Sequence, residues 1–384
     1  MSNSAGENSF DVAIVGAGIV GLAHAWMAAR RGLRVVVFER SERAIGASIR
    51  NFGMIWPVGQ PAGEPLSIAL RSQALWLELA EAAGLWLNPC GSIHLARHAD
   101  ELAVLEEFCS GSAESEHSVQ MLTRDEVLQR SPAARADGLL GGMWSDTELC
   151  VNSRDVISRL PDWLSRSFGV EFRFQSLVTS VESGRVTTSH GQGVACERSV
   201  ICSGSDLQTL FPAVLAESGL RLCKLQMLKT APQPGGWRIG PHLAGGLTLR
   251  HYSSFASCPA YAAFRQRIAN EKPELDRFGI HVMASQNNSG EVILGDSHEY
   301  GDEMTPFDSN EIESLMLREL RELIVLQDWQ IAERWHGVYA KHPERLIFET
   351  EPQPSVHIAV GPGGAGMTLS FGLADRQWAR WLNE

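Results

Sequence analysis

DVAIVGAGIVGLAHAWMAARRGLRVVVFE, residues 11–39, is the stretch from which the rest of the chain is read. Its apolar run Val12–Val15 has the composition of a parallel strand covered on both faces, and it breaks directly into Gly16-Ala17-Gly18-Ile19-Val20-Gly21. Glycines in that spacing, between a strand and a helix, form the phosphate-binding turn of a dinucleotide fold. Gly16 permits the tight turn, Gly18 lets the backbone approach a pyrophosphate, and Gly21 lets the helix lie against the strand. The phosphates then meet free amides and the positive end of the helix dipole. The pattern predicts a helix to Arg31 that stops at Gly32, then a second apolar run, Val35–Phe38, ending in Glu39. An acid there suits the ribose hydroxyls of an adenosine. A lone glycine triplet is a weak sign, but here strand, helix and acid agree with it. Residues 10–29 also have the apolarity of a membrane span or signal sequence. Asp11, His24 and the glycines within the stretch oppose a span, and no basic segment precedes it.

At 384 residues and 44% apolar, the chain can bury a large core, and its length suggests two domains. A formal charge of −12 argues against nucleic acid or an anionic membrane as partner. An anionic small molecule would need a local basic cluster. The seven cysteines show no CxxC pair and no His/Cys spacing suited to zinc, so no metal is expected and a reduced, cytoplasmic protein is.

Met1–Ser9 is polar and expected to fray. The loop after Glu39, SERAIGASIRNFGMIWPVGQPAG, carries too much apolar content for a free linker and is expected to lie against the cofactor. In it Arg40, Ser48, Arg50 and Asn51 are candidate donors, and Phe52-Gly53 through Trp56 a candidate cover. Residues 66–83 predict a core helix on Leu66, Leu70, Ala74, Leu77 and Ala80, stopping at Gly84. A short strand at 92–96, a charged helix at 100–109, a polar loop and a helix at 123–130 follow. Asn152 and Asp155 read as the cap of a helix to Phe168, with a kink or break at Pro161. Strands are predicted around 170–174, at 177–181 (with Val178), at 185–188 and at 199–202, the last ending at Ser203-Gly204. Runs at 222–230, 247–252, 280–284 and 291–294 suggest an antiparallel sheet, followed by an amphipathic helix at 309–326. The chain returns through a strand at 356–360 into GPGGAGMTLS.

The resulting fold class is α/β with an α+β substrate domain: a Rossmann-like cofactor domain (1–84, 143–219, 330–384) interleaved with an antiparallel-sheet domain (85–142, 220–329). Gly363-Gly364-Ala365-Gly366, between that last strand and a helix beginning near Met367-Thr368, is a second place where backbone can approach a flat ligand. A helix there would aim its positive end at the ligand.

The first turn, RSVICSG at 198–204, WHGVYAKHPER at 335–345 and VGPGGAGMTLS at 360–370 together resemble the FAD-dependent oxidases that include D-amino acid oxidase, glycine oxidase and sarcosine oxidase. SIRNFGMIWPVGQPAG and LRHYSSFASCP are similar to a bacterial branch linked to aminophosphonate breakdown. Two departures stand out. Sarcosine oxidases tether flavin through a Cys-x-Tyr element, where this chain has Gly337-Val338-Tyr339. Glycine oxidase-like enzymes place a carboxylate-binding arginine where Tyr339 stands.

The resemblance implies FAD, bound without a covalent link, and a small primary or secondary amine as substrate. Hydride passes from the amine's α-carbon to flavin N5, water hydrolyses the imine to an aldehyde, and oxygen is the acceptor. With only one strand-linked glycine triplet, no NADPH domain is visible. Alternatives are a dehydrogenase feeding a quinone or carrier protein, and a nucleotide-binding module without turnover. The candidate substrate anchors are Arg50, Arg250, His251 and Tyr339, with Lys341 and Arg345 behind them; an aminophosphonate is the expected substrate. With Gly337 in the tethering place, acid precipitation should leave the yellow colour in the supernatant; colour retained in the pellet would refute non-covalent binding.

Overall fold

The computed structural model describes residues 9–383. The leader expected to fray therefore lies outside the described residues except for Ser9, which instead opens the first strand opposite Ala195. Nine elements frame the site: β1 (Ser9–Val15), α1 (Ile19–Ala29), β2 (Val35–Phe38), α2 (Glu64–Ala83), β3 (Gly193–Ile201), β4 (Arg221–Pro232), β5 (Ile331–Lys341), β6 (Val356–Val360) and α3 (Gly366–Leu382).

The first sheet has eight strands. At its centre β2, β1, β3 and β6 run parallel, with Val12 beside both Val35 and Arg198, and Ser199 beside Val356. These strands are apolar throughout because helices or further chain cover both faces. A hairpin of 178–182 and 185–188 continues the sheet beyond β3. The second sheet has nine strands, mostly antiparallel, with β4 at one side and 92–96, 141–145 and 119–123 at the other. A three-stranded sheet of 54–55, 149–151 and 87–88 lies apart from both. The mixed α/β class is as the sequence reads.

Several local expectations shift. α1 ends at Ala29, and Gly32 takes its φ of +82° in the turn that follows. α2 closes at Gly84 in the left-handed conformation, but its buried stripe is rotated from the predicted one. Leu66 and Ala80 are buried as expected, but between them Ile68, Ala69, Ser72, Leu75, Trp76 and Leu79 face inward in place of Leu70, Ala74 and Leu77, the last 43% exposed. The cause is α3: Trp76 meets Phe371 edge-on at 4.8 Å and donates its indole N–H to the Met367 carbonyl at 2.8 Å. The helix at 153–168, capped by Asn152 accepting from the Asp155 amide, continues through Pro161 without a break. Residues 247–252 are not a strand: a 3-10 turn occupies Gly246–Arg250. A Cβ at Gly246 would fall 2.2 Å from the Glu101 carboxyl carbon, so the chain coils tightly beneath that side chain where a ladder has no room. Residues 331–341 form the long strand β5, paired along β4 from Arg221↔Lys341 to Thr230↔Ile331, and so lie in the second sheet.

α2 and α3 pack with backbones in close approach at Gly372, where a Cβ would sit 2.2 Å from the Ile68 carbonyl oxygen. Gly372→Ala should force the helices apart and cost about 1–3 kcal/mol, the usual range for overpacking. The check is a lowered urea midpoint at unchanged slope.

Candidate cofactor and substrate site

The carboxyl ends of β1, β2 and β3 open onto one elongated cavity, as ligand sites do in open α/β sheets. Its floor is the first turn. The Gly16 amide donates to Phe38 O at 2.7 Å and the Cys202 amide to Val15 O at 2.8 Å, so three strand ends are clamped together. Gly16 has a φ of +103°, and a Cβ there would lie 2.3 Å from Cys202 O.

Gly16, Gly18, Ile19, Val20, Glu39, Arg40, Ser48, Asn51, Phe52, Val178, Ser203 and Gly204 all line this cavity. Gly363, Gly364, Gly366 and Met367 line it from the other side. Ala17, Gly21, Gly53, Ala365 and Thr368 do not. The Ala17 amide is held by Glu39 Oε2 at 3.1 Å, while Gly21 backs onto Gly16, where a Cβ would be 1.9 Å from the carbonyl oxygen. Gly53 takes a φ of +72° against Val151 O, and Thr368 turns its hydroxyl to accept from the Trp56 amide at 2.9 Å. Two of the lining residues have their donors occupied. Arg40 is paired with Asp206 at 2.7 Å, and Asn51 gives its amide to Ala47 O and Ser48 O at 3.0 and 2.9 Å. Asn51 therefore shapes the loop rather than reaching into the cavity.

These residues fit a dinucleotide. α1 and α3 both start at the cavity, and neither has a side-chain cap or an acidic residue in its first turn. Ser48 Oγ accepts from the Ile19 amide at 2.9 Å, which ties the loop to the positive end of α1. Glu39 holds the Ala17 and Ser41 amides at 3.1 and 3.0 Å and so stands at the turn where a ribose would lie.

At the opposite end the wall is formed by Arg50, His251, Tyr252, His281, Asp296, His298 and Tyr339. Tyr339 is 7% exposed and sits opposite Cys223 in the β4–β5 ladder; a Cβ at Gly364 would be 3.4 Å from its hydroxyl. Burial pushes its phenol well above the ordinary value, so it is a neutral hydrogen-bonding group. Arg50 donates Nη1 to His336 O at 3.1 Å. Arg250, by contrast, lies outside this cavity. It donates to Ile280 O at 2.8 Å, pairs with Asp276 and lines a separate cavity with Tyr261 and Arg265. Burial, with Arg265 nearby, brings its pKa down to about 10. His251 lines both cavities, so it stands between Arg250 and the cofactor chamber.

Three residues of this wall, His281, Asp296 and His298, carry no motif that marks them in the sequence. Asp296 donates its amide to His281 O at 2.8 Å and accepts from the His281 amide at 3.2 Å, so hairpin pairing brings together groups 15 positions apart. No fixed spacing encodes this, although both segments are rich in the polar residues that strands of a closed core avoid. Burial pushes His298 down to about 4 against the pull of Asp296, and His251 well below its usual value. Burial alone would raise the Asp296 carboxyl, but the adjacent His298 and His281 outweigh it and hold it below the ordinary range. In this coupled group the carboxylate carries the charge, and His251 and His298 are neutral at pH 7.

Two large sheets with a glycine-clamped phosphate cradle and a buried polar chamber beyond it define a dinucleotide-dependent oxidoreductase. The chain belongs to the DAO family of FAD dependent oxidoreductases, whose model matches residues 11–376. It is 24% identical over 381 residues to one of the subunits of the opine oxidase of Rhizobium meliloti, covering 94% of this chain and 91% of that one. It is 32% identical over 209 residues to glycine oxidase of Geobacillus kaustophilus, covering 51% and 55%. The crystal structure of that organism's glycine oxidase superposes with a TM-score of 0.76 at 20% identity over 98% and 95% of the chains. FAD is thus the dinucleotide the cradle serves. Among the described residues no helix is long and apolar enough to cross a membrane.

Glu39→Ala removes the acceptor that orders the first turn and faces the ribose position. FAD affinity should fall by about 1–3 kcal/mol, the range for charge-assisted hydrogen bonds. Titration of apoprotein with FAD measures it; unchanged affinity would separate Glu39 from the cofactor.

Proposed function

We propose that the chain is an FAD-dependent oxidase of a small primary or secondary amine carrying a phosphonate, with N-methyl-2-aminoethylphosphonate as the representative substrate. Bound FAD would supply the two-electron acceptor for the carbon beside the amine nitrogen; the resulting imine would be hydrolysed by water to an aldehyde and the free amine, with the electrons passing to oxygen to give hydrogen peroxide. The protein's part is orientation and electrostatics. The observation that carries the substrate reading is Tyr339, a buried neutral phenol at the wall position where relatives of the glycine oxidase type are expected to carry an arginine. A carboxylate is best held by one planar guanidinium fork. Around Tyr339 the polar groups are instead separate: Arg50 on the loop, His251 on the turn, and His281 and His298 on the hairpin. A phosphonate, with three acceptor oxygens, suits several separated donors. Arg250 is no longer an anchor in this reading because its guanidinium faces the other cavity.

Arg50 is the guanidinium at this end, so it takes over the anchoring role. Arg50→Ala should lower kcat/KM for N-methyl-2-aminoethylphosphonate by about 10–100-fold, or roughly 1.4–2.7 kcal/mol. A neutral amine of similar size should lose much less. The deciding experiment is anaerobic bleaching of the flavin absorbance across amines bearing phosphonate, carboxylate or no acid, followed by peroxide assay on admitting air. Faster bleaching by sarcosine or glycine would overturn the phosphonate reading. Bleaching without peroxide would overturn the oxidase reading.

A further inference from the structure

The buried polar chamber contains more ligating chemistry than amine oxidation needs. One ring nitrogen from each of His251, His281 and His298 lies within 4.8 Å of the others. His281 and His298 are 2% and 6% exposed, and their rings are 5.1 Å apart between centroids; His251 lies 4.0 and 4.4 Å from them. Neither nitrogen of His281 has an aligned hydrogen-bond partner, and neither does Asp296 Oδ1, although Nε2 and Oδ1 approach to 3.0 Å. An imidazole and a carboxylate left unsatisfied in one buried place are costly unless something completes them.

We infer that His251, His281 and His298 are the ligands of a divalent transition-metal site of the zinc class in the cavity wall. The surroundings are those of a ligating set. Metal-binding imidazoles must be neutral, and they characteristically hold their second ring nitrogen against a carboxylate or carbonyl. His298 holds Nδ1 against Gly279 O at 3.3 Å, and Asp296 Oδ1 lies 3.0 Å from His281 Nε2, close enough to serve as that imidazole's carboxylate partner once the ring turns. Three imidazoles leave a fourth position open, and all three rings line the cavity, so that position faces the chamber. Bonds of about 2.0–2.1 Å put tetrahedral ligands about 3.3 Å apart. The nitrogens must therefore close by up to about 1.5 Å, and since His281 stacks on His251 and His298 at interplanar angles of 29° and 17°, the rings must also turn about their side-chain bonds to aim their in-plane lone pairs at one point. Asp296 supplies the compensating negative charge, and Asp276 offsets Arg250 behind His251. Lys341 is the cation that acts against the site from β5. The site requires neither the amine nor the phosphonate reading; with metal bound, its open position takes the place of the three imidazoles as the group facing an anionic oxygen, and Arg50 and Tyr339 keep their places on the wall.

Holoprotein stripped with a chelator and dialysed against buffered Zn2+ should retain about one zinc per chain by elemental analysis. His281→Ala/His298→Ala should retain at least about tenfold less, and Asp296→Asn should weaken binding by about 10–100-fold. Replacing the exposed His190 should change nothing. On the unmodified protein, zinc should shield His281 and His298 from diethylpyrocarbonate, mapped by mass spectrometry, and should perturb the flavin absorption spectrum. Failure of the unmodified protein to retain zinc would overturn the site. So would equal zinc in the double variant, or, where that variant does not fold, undiminished carbethoxylation in the presence of zinc.

Discussion

The Gly16 backbone and the Cys202 carbonyl are so close that no side chain fits between them, and the remaining architecture follows from that contact. A Cβ at Gly16 would sit 2.3 Å from Cys202 O, and one at Gly21 would sit 1.9 Å from Gly16 O. The end of β1, the start of α1 and the end of β3 therefore converge on a single point. Because they converge, the start of α1 is brought to the cavity, with the Ile19 amide held by Ser48 Oγ and the Ala17 amide by Glu39. α3 arrives on the other side by the same means, with Gly363 at a φ of +60° letting its first turn come close. The cofactor site is thus made mostly of backbone, which explains why so few ionisable side chains are found at its cradle.

How far the structure is legible in the sequence follows from which features are local. The cradle is legible because strand, glycines, helix and acid lie within residues 11–39, and β2 and β6 occur with the boundaries their apolar runs suggest. The α2 stripe is not, because its orientation is decided by Trp76 and Ile68 meeting α3, about 300 residues away. The turn at 246–250 is hidden because its apolar residues look like a strand, whereas the limiting contact is with Glu101, on a distant helix. Arg250 faces the second cavity, where it pairs with Asp276. His281, Asp296 and His298 become neighbours only through hairpin register, which a single sequence does not display.

A formal charge of −12 does not by itself set the charge balance inside the chamber, because surface and chamber act at different ranges. Exposed acids are screened over about 8 Å at physiological ionic strength, while groups facing a buried cavity are screened much less. Within the chamber Asp296 is the carboxylate on the wall, and its charge is shared with His281 and His298. Lys341 is close enough to depress both His251 and His298 further. The local balance is therefore set by a handful of groups on β5, the hairpin and the cofactor loop, not by the surface.

That loop is the mechanical link between the two halves of the site. Ser48 is bonded to the start of α1, Trp56 to Thr368 in α3, and Arg50 to His336 in β5. Phe52 O accepts from Ser285 at 2.6 Å in the second sheet. Val58 is held at 3.0 Å by Glu148, a buried carboxylate that also accepts from Ser92 at 3.0 Å. Five anchors on one short segment straddle the cofactor helices and the substrate sheet. A ligand that fixes the α1 turn consequently fixes Arg50 and Phe52 as well. Binding to the folded state alone stabilises it by mass action, and the loop that touches both the α1 turn and the chamber belongs to that folded state. In a chain whose flavin is untethered at Gly337, keeping the cofactor and keeping the substrate wall in order are one structural requirement.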